Sequence, residues 1–238
     1  MTTKAFAARA RRLHLMAPQQ QREWHPAFEE YCEAIFELRE DDVEVIQARI
    51  AERLELSRPA VSEMIRRMEK SDLVDLTGNS IRLTDAGLAL AESVVRRHRL
   101  AERFLTDILG LSWADAHAEA GRWEHVISPT VEIAMTRVLG APTTCPHGNP
   151  IPGTDYIPPD AVTLGQLAVG QGFIVSRIPE ELEFTPGLLT FLESSSLLPG
   201  NAGTVTGTTA GGTTTVDIGG LLVEIDAFSS ERILVTAA

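Results

Sequence analysis

The 238-residue chain is poor in aromatic residues, at 5%, and has only two cysteines, Cys32 and Cys145. Two thiols cannot build the disulfide framework of a small secreted domain, so the expected setting is the reducing cytoplasm. No apolar run approaches the ~20 residues a membrane helix needs, and the first residues lack the apolar core of a secretory signal. Positive charge is scarce too: 21 Lys and Arg face 33 Asp and Glu, a formal net charge of −12. Taken alone, that balance argues against a partner as anionic as nucleic acid. The 44% hydrophobic content excludes wholesale disorder, and 18 Gly with 13 Pro are too few for a collagen-like repeat. The chain is long enough for one or two ordinary cores, or three small ones.

The charge is unevenly placed. Residues 1–25 carry Lys4, Arg9, Arg11, Arg12 and Arg22 against Glu23 alone. This extension reads either as a frayed tail, with Met16 as an alternative start, or as a basic arm that meets DNA phosphate. From Val45 to Arg82, seven cations face six acids, so this stretch is locally relieved of negative charge.

From Pro26 to about Leu139 the pattern is helical with one interruption. Phe28, Tyr31, Cys32, Ile35, Phe36 and Leu38 recur at helical spacing. Val45–Leu54 predicts a second helix and Arg58–Lys70 a third, with Ser57 as its cap and Pro59 in its first turn. Leu73–Leu76 and Ser80–Leu83 flank Thr77-Gly78-Asn79 as a short hairpin. Thr84 caps a long helix to about Leu109, Ser112 and Asp115 start another that continues to about Ile127, and Ser128-Pro129 opens a third that ends before Pro142. Six of the 13 prolines fall within 142–160, which predicts an extended tether without packing. Beyond it, Phe173–Ile178, Gly203–Thr208, Thr213–Ile218, Leu221–Ile225 and Ile233–Thr236 read as strands of a small β barrel, with a helix near Leu188–Leu192.

Helix, helix, turn, helix, hairpin is the order of a winged helix-turn-helix, whose third helix enters the major groove. Val61, Met64, Ile65 and Met68 share one face of that helix and pack inward. Candidate DNA contacts are Arg58, Pro59, Ala60, Ser62, Glu63, Arg66, Arg67 and Lys70. The cations suit phosphate or guanine edges, and Glu63 could accept from cytosine.

Three of the six histidines, His98, His117 and His125, fall within 28 positions. His98 and Glu102 are i,i+4 neighbours, as are His117 and Gly121. Glu124 and His125 follow on the same face, within an arc of roughly 100°. Glu30 and Glu33 are i,i+3 on the first helix. Carboxylates and imidazoles from three helices make a mixed oxygen and nitrogen set that suits Mn(II) or Fe(II), the hard oxygens favouring manganese. Cys145-Pro146-His147 invites a metal-knuckle reading, but two ligands beside a proline fall short of a tetrahedral set. Cys32 reads as a small core residue.

Several segments together carry a resemblance: Ala48-Arg49-Ile50-Ala51-Glu52-Arg53-Leu54, Arg58-Pro59-Ala60-Val61-Ser62, Leu83-Thr84-Asp85-Ala86-Gly87, Arg97-His98-Arg99-Leu100-Ala101-Glu102-Arg103, Arg122-Trp123-Glu124-His125 and Gly148-Asn149-Pro150-Ile151-Pro152-Gly153. From about Pro26 onward the chain resembles the diphtheria-toxin-repressor and manganese-transport-regulator family of metal-dependent transcription regulators. The resemblance implies a mainly α chain with a small β domain: a winged helix-turn-helix over 26–88, a helical dimerisation and metal-binding domain over 89–143, a Pro-rich tether over 144–160 and an SH3-like domain over 161–238. It implies a primary metal site at Glu30, Glu124 and His125, with Glu33 as a second acid. At Gly121 the family has cysteine or glutamate; glycine leaves only its backbone carbonyl or a water. It further implies an ancillary site at His98, Glu102, His117, Glu180 and Glu183, hence two or more Mn(II) or Fe(II) ions per protomer. The partners implied are double-stranded, inverted-repeat operator DNA and a second copy of the chain, with one or two dimers per operator. No H-E-x-x-H, nucleophile elbow or Walker loop supports the metalloenzyme alternative. A metal-independent winged regulator that senses a small organic ligand is the other rival.

Overall fold

The computed structural model describes residues 26–238. The basic stretch 1–25 lies outside the described residues. Helices α1 (Pro26–Glu40), α2 (Gln47–Arg53) and α3 (Arg58–Lys70) precede an antiparallel hairpin of β1 (Val74–Thr77) and β2 (Ser80–Leu83). The hairpin turns at Gly78, whose φ of 62° is the left-handed conformation that glycine adopts without strain. Ser57 accepts a hydrogen bond from the Ala60 N–H and Pro59 sits in the first turn, so α3 starts where its cap dictates. Its inner face buries Val61, Ile65 and Met68 against Tyr31, Ile35 and Ile50. Arg58, Pro59, Ala60, Glu63, Arg66, Arg67 and Lys70 are exposed, and Ser62 is half-buried.

The long α4 (Asp85–Asp107) leaves the wing through Thr84. The Thr84 hydroxyl donates to the Asp72 carbonyl and accepts from the Gly87 N–H, which presses the first turn of α4 onto the end of the helix-turn-helix. A Cβ at Gly87 would lie 2.0 Å from the Leu73 carbonyl oxygen. Gly87→Ala is therefore expected to cost about 3 kcal/mol, because it forces backbone against backbone. Urea denaturation checks this, and a loss under about 1 kcal/mol would mean that α4 shifts freely on the wing.

Helices α5 (Trp113–Trp123) and α6 (Pro129–Val138) are capped by Ser112 and Ser128. Helix α5 stops at Trp123, short of the expected Ile127, so Glu124 and His125 occupy the turn that follows it. Ala116 and Ala120 let α5 approach Leu100, Ala101 and Leu105 of α4 closely.

The expectation of an unpacked tether is corrected by residues 145–149, all of which are buried. Proline removes backbone donors but does not prevent packing. Backbone groups here find partners: the Cys145 N–H donates to the Asn149 carbonyl, and the Ile178 N–H to the His147 carbonyl.

The last part is an antiparallel sheet in the order β3 (Val162–Thr163), β8 (Leu234–Ala237), β4 (Gly172–Arg177), β5 (Ala202–Thr208), β6 (Thr214–Ile218), β7 (Leu221–Ile225). Helices α7 (Glu180–Glu183) and α8 (Leu188–Ser194) follow β4, and α9 (Ala227–Ser230) precedes β8. Its core of Phe173, Val175, Leu192, Val205 and Val216 also takes in Trp113 at the start of α5, which anchors that helix to the sheet domain. Among the described residues no helix is long and apolar enough to cross a membrane.

Candidate metal centre

Two clusters of carboxylates and imidazoles lie between α1, α4, the end of α5 and α7. In the first, Glu33 of α1, His98 of α4 and Glu124 offer ligand atoms within 4.8 Å of one another. His98 Nδ1 lies 2.5 Å from Glu124 Oε2, and His125 Nε2 lies 3.2 Å from both Glu30 and Glu124. Glu29 takes the other side of that ring, 2.6 Å from His125 Nδ1, while also holding Arg97 at 3.3 Å. A carboxylate behind an imidazole fixes the orientation of the ring and so aims its second nitrogen.

Gly121 lines the same hollow, and a Cβ built there meets nothing within 4 Å, so its missing side chain leaves open space beside the cluster.

In the second cluster, His98, Glu102 and His117 form one group, and His117, Glu180 and Glu183 another. Glu102 Oε1 stands 3.2 Å from His98 Nε2 and 2.9 Å from His117 Nδ1, while Glu183 Oε2 lies 3.1 Å from His117 Nδ1. Glu180 is engaged elsewhere: its Oε1 accepts two hydrogen bonds from Arg99, at 2.9 and 3.1 Å.

His147, expected within the Pro-rich tether, is fully buried, with Nδ1 2.9 Å from Glu183 and 3.5 Å from Glu102. Cys145, His147 and Glu102 form a further group of candidate ligands. The Cys-Pro-His triplet was visible in the sequence. The carboxylates that complete it come from about 40 residues on either side, so local spacing could not reveal them.

Burial and close pairing of acids with imidazoles shift the protonation of these groups. Burial pushes the Glu33 carboxyl well above its usual range, and the charge of Glu124 adds to that. Burial works against protonation of His98, yet Glu102 and Glu124 outweigh it and hold the ring well above its ordinary value. His117 is pushed up to about 10 in the same way, burial being overcome by Glu102 and Glu183. Hydrogen bonds that the His125 ring donates to Glu29 and Glu30 raise it to about 9. Burial, then the acids Glu102 and Glu183, hold the Cys145 thiol well above its usual range.

Of the eight buried side-chain atoms without a hydrogen-bond partner among the described residues, six belong to these clusters. They are Glu33 Oε1, His98 Nε2, Glu102 Oε2, both nitrogens of His147 and Glu183 Oε2. Orphaned lone-pair donors concentrated in this way fit a divalent cation.

Residues 25–80 match the family described as iron dependent repressor, N-terminal DNA binding domain, and residues 84–153 match its metal binding and dimerisation domain. The iron-dependent repressor IdeR of Mycobacterium tuberculosis is 42% identical over 204 residues, covering 81% of this chain and 88% of its own. The diphtheria toxin repressor of Corynebacterium diphtheriae is 50% identical over 130 residues, covering 54% of this chain and 58% of its own. A solved structure of a manganese-dependent transcriptional repressor in complex with manganese superposes with a TM-score of 0.79 at 31% identity, covering 89% of this chain and all of that one.

Proposed function

The chain belongs to the iron-dependent repressor family, the diphtheria-toxin-repressor and manganese-transport-regulator group, and from that premise we propose how its own residues convert metal into operator binding. As in that family, it is a metal-dependent, DNA-binding transcriptional regulator with a dimerisation domain, and not an enzyme. The carrying observation is that Glu30 and Glu33 of α1 face Glu124 and His125 at the end of α5. Helix α1 belongs to the winged domain and α5 to the dimerisation domain, so one ion held by all four would span the junction between them.

A bound divalent cation supplies positive charge that cancels the mutual repulsion of these carboxylates. Glu30 and Glu33 then hold α1 against Glu124 and His125, which fixes the angle of α3 relative to the dimer. With that angle fixed, Arg58, Arg66, Arg67 and Lys70 on both copies meet successive half-sites of an inverted repeat. Exposed apolar side chains at Ile108, Leu109, Val126, Val131, Ile133 and Val138 supply the dimer contact within the dimerisation domain.

His98, Glu102, His117 and Glu183 would hold a second ion. Cys145 and His147 stand beside that group as additional donors, and the two sets together would take at least two ions per protomer. The first set is all oxygen and imidazole and favours Mn(II) or Fe(II). The second adds a soft thiol, which suits Fe(II) or Zn(II) better than Mn(II) once its proton is lost. The setting is the cytoplasm, the partner is operator DNA, and metal-homeostasis genes are the targets.

The test is an anaerobic operator titration by fluorescence anisotropy with Mn(II), Fe(II) and Zn(II), run beside metal stoichiometry. Expected are operator binding that chelator abolishes, two or more ions per chain, and a stronger response to Mn(II) or Fe(II) than to Zn(II). Tight operator binding in chelator would sink the metal-switch reading in favour of an organic-ligand regulator.

A further inference from the structure

The metal clusters engage only the first half of α1. Its other end is gripped by the sheet domain. Arg99, fully buried on α4, donates to Glu40 at the end of α1 (2.6 and 3.1 Å), to Glu180 of α7 and to the Pro150 carbonyl. Arg177 of β4 donates to Asp41 at 2.5 Å, to Glu40 at 3.1 Å and to the Asn149 side chain at 2.5 Å. The Glu181 N–H donates to the second oxygen of Asp41, at 3.0 Å. Arg53 of α2 bonds Glu37 and the Glu180 carbonyl, and its guanidinium lies 3.4 Å from the centre of the Phe184 ring. Arg177 and the Glu181 N–H join the end of α1 to the sheet domain directly, Arg53 does so through the Glu180 carbonyl and Phe184, and Arg99 of α4 touches Glu40, Pro150 and Glu180.

These pairs have the properties of a positioning device. The Arg177 and Asp41 side chains are 12% and 5% exposed, so water screens them little. Both oxygens of Asp41 are used, one by a side chain and one by backbone of the sheet domain, which fixes direction as well as distance. From Glu30 to Asp41 the helix advances roughly 16 Å. A rod held at one point pivots, whereas a rod held at two points this far apart has a set direction.

We propose that Arg177 and Asp41 are positioning residues for metal binding. Through them the sheet domain holds the far end of α1 so that Glu30 and Glu33 already face Glu124 and His125 before an ion arrives. The inference rests on the metal-switch reading above and adds that the sheet domain presets it. An ion meeting a preset site need not spend binding free energy on aligning α1, so apparent affinity rises with the fraction of chains already aligned.

The test uses the full chain with Mn(II) alone, followed by the free-ion electron paramagnetic resonance signal, and then with operator. Arg177→Ala is expected to need about tenfold more Mn(II) for half-saturation, with unchanged stoichiometry and a matching shift in operator binding. Arg177→Lys, which keeps the charge but only part of the three-way hydrogen bonding, should fall between the parent and Arg177→Ala. Asp41→Asn, nearly isosteric, serves as the second variant if Arg177→Ala fails to fold, and should show the same shift. Parent-like Mn(II) affinity in Arg177→Ala or Asp41→Asn would overturn the proposal. So would a loss in Arg177→Lys equal to that in Arg177→Ala with a parallel drop in unfolding temperature, since packing alone would then account for it. A parent chain with no metal-dependent operator binding would instead sink the metal-switch reading itself.

Discussion

A Glu124→Ala chain is expected to lose metal-dependent operator binding while remaining folded. Glu124 is 3% exposed and, among the described residues, is the one carboxylate that faces His98 and His125 together. Truncating one member of a buried charged set costs on the order of 3 kcal/mol, equivalent to about a hundredfold in Mn(II) affinity. Without metal, the same change also removes a negative charge that opposes ionisation of the buried Glu33. The metal-free variant should therefore unfold within a few degrees of the parent. The metal-induced rise in unfolding temperature, which follows from binding to the folded state only, should vanish. Differential scanning fluorimetry with and without Mn(II), paired with operator anisotropy, checks both halves. A variant that keeps a parent-like thermal shift and operator affinity would remove Glu124 from the switch.

The second large effect is on pH. In the metal-free protein His125 titrates at about 9 and His117 at about 10, because carboxylates hold their protons on them. At pH 7.5 both rings are therefore imidazolium and have no lone pair to donate. Metal binding must release a proton from each ring it uses. Apparent affinity should climb by up to about tenfold per pH unit for each proton released, until pH passes about 9 for His125 and about 10 for His117. Metal-free stability runs the other way. A histidine with a raised folded pKa contributes stability that is fully present below its ordinary value of about 6.5. That contribution is lost as pH rises through about 9 for His125 and about 10 for His117. Calorimetry in two buffers of different ionisation enthalpy, at pH 6.5 and 8.0, counts the protons. Affinity that is flat across that range would contradict the charged-imidazole account.

Local features of the fold were legible in the sequence. The caps at Ser57, Thr84, Ser112 and Ser128 act within three residues of themselves, and the helices begin where those side chains say. The pairs Glu30 with Glu33 and His98 with Glu102 are likewise one helical turn apart, so their shared faces could be read directly. Cys145 and His147 could not be read in this way. They are brought in by packing that links distant parts of the chain, such as the Asn149 amide donating to the Ile178 carbonyl and to Glu183. The run of prolines signalled missing donors, and equating that with missing packing was the error. Arg99 and Arg177 were equally hidden, since their partners lie 59 and 136 residues away. Net charge misled for a related reason. Acids such as Glu33, Glu102, Glu124, Glu180 and Glu183 are turned inward, away from the exposed cations of α3, so the total says little about the face that meets DNA.

His98 carries one more consequence. Its Nδ1 faces Glu124 and its Nε2 faces Glu102, so a single ring stands between the two clusters. A neutral imidazole owns one lone pair in its plane and one N–H. If Nε2 gives its pair to an ion beside Glu102 and His117, then Nδ1 keeps its hydrogen and donates it to Glu124, steadying that carboxylate for the first site. If Nδ1 gives the pair instead, Glu102 receives the hydrogen and the second site loses a ligand. Filling the second site first leaves both sites usable, whereas ligation through Nδ1 sets them in competition. A single imidazole has one lone pair to give, so His98 would serve as a ligand to only one of the two sites at a time.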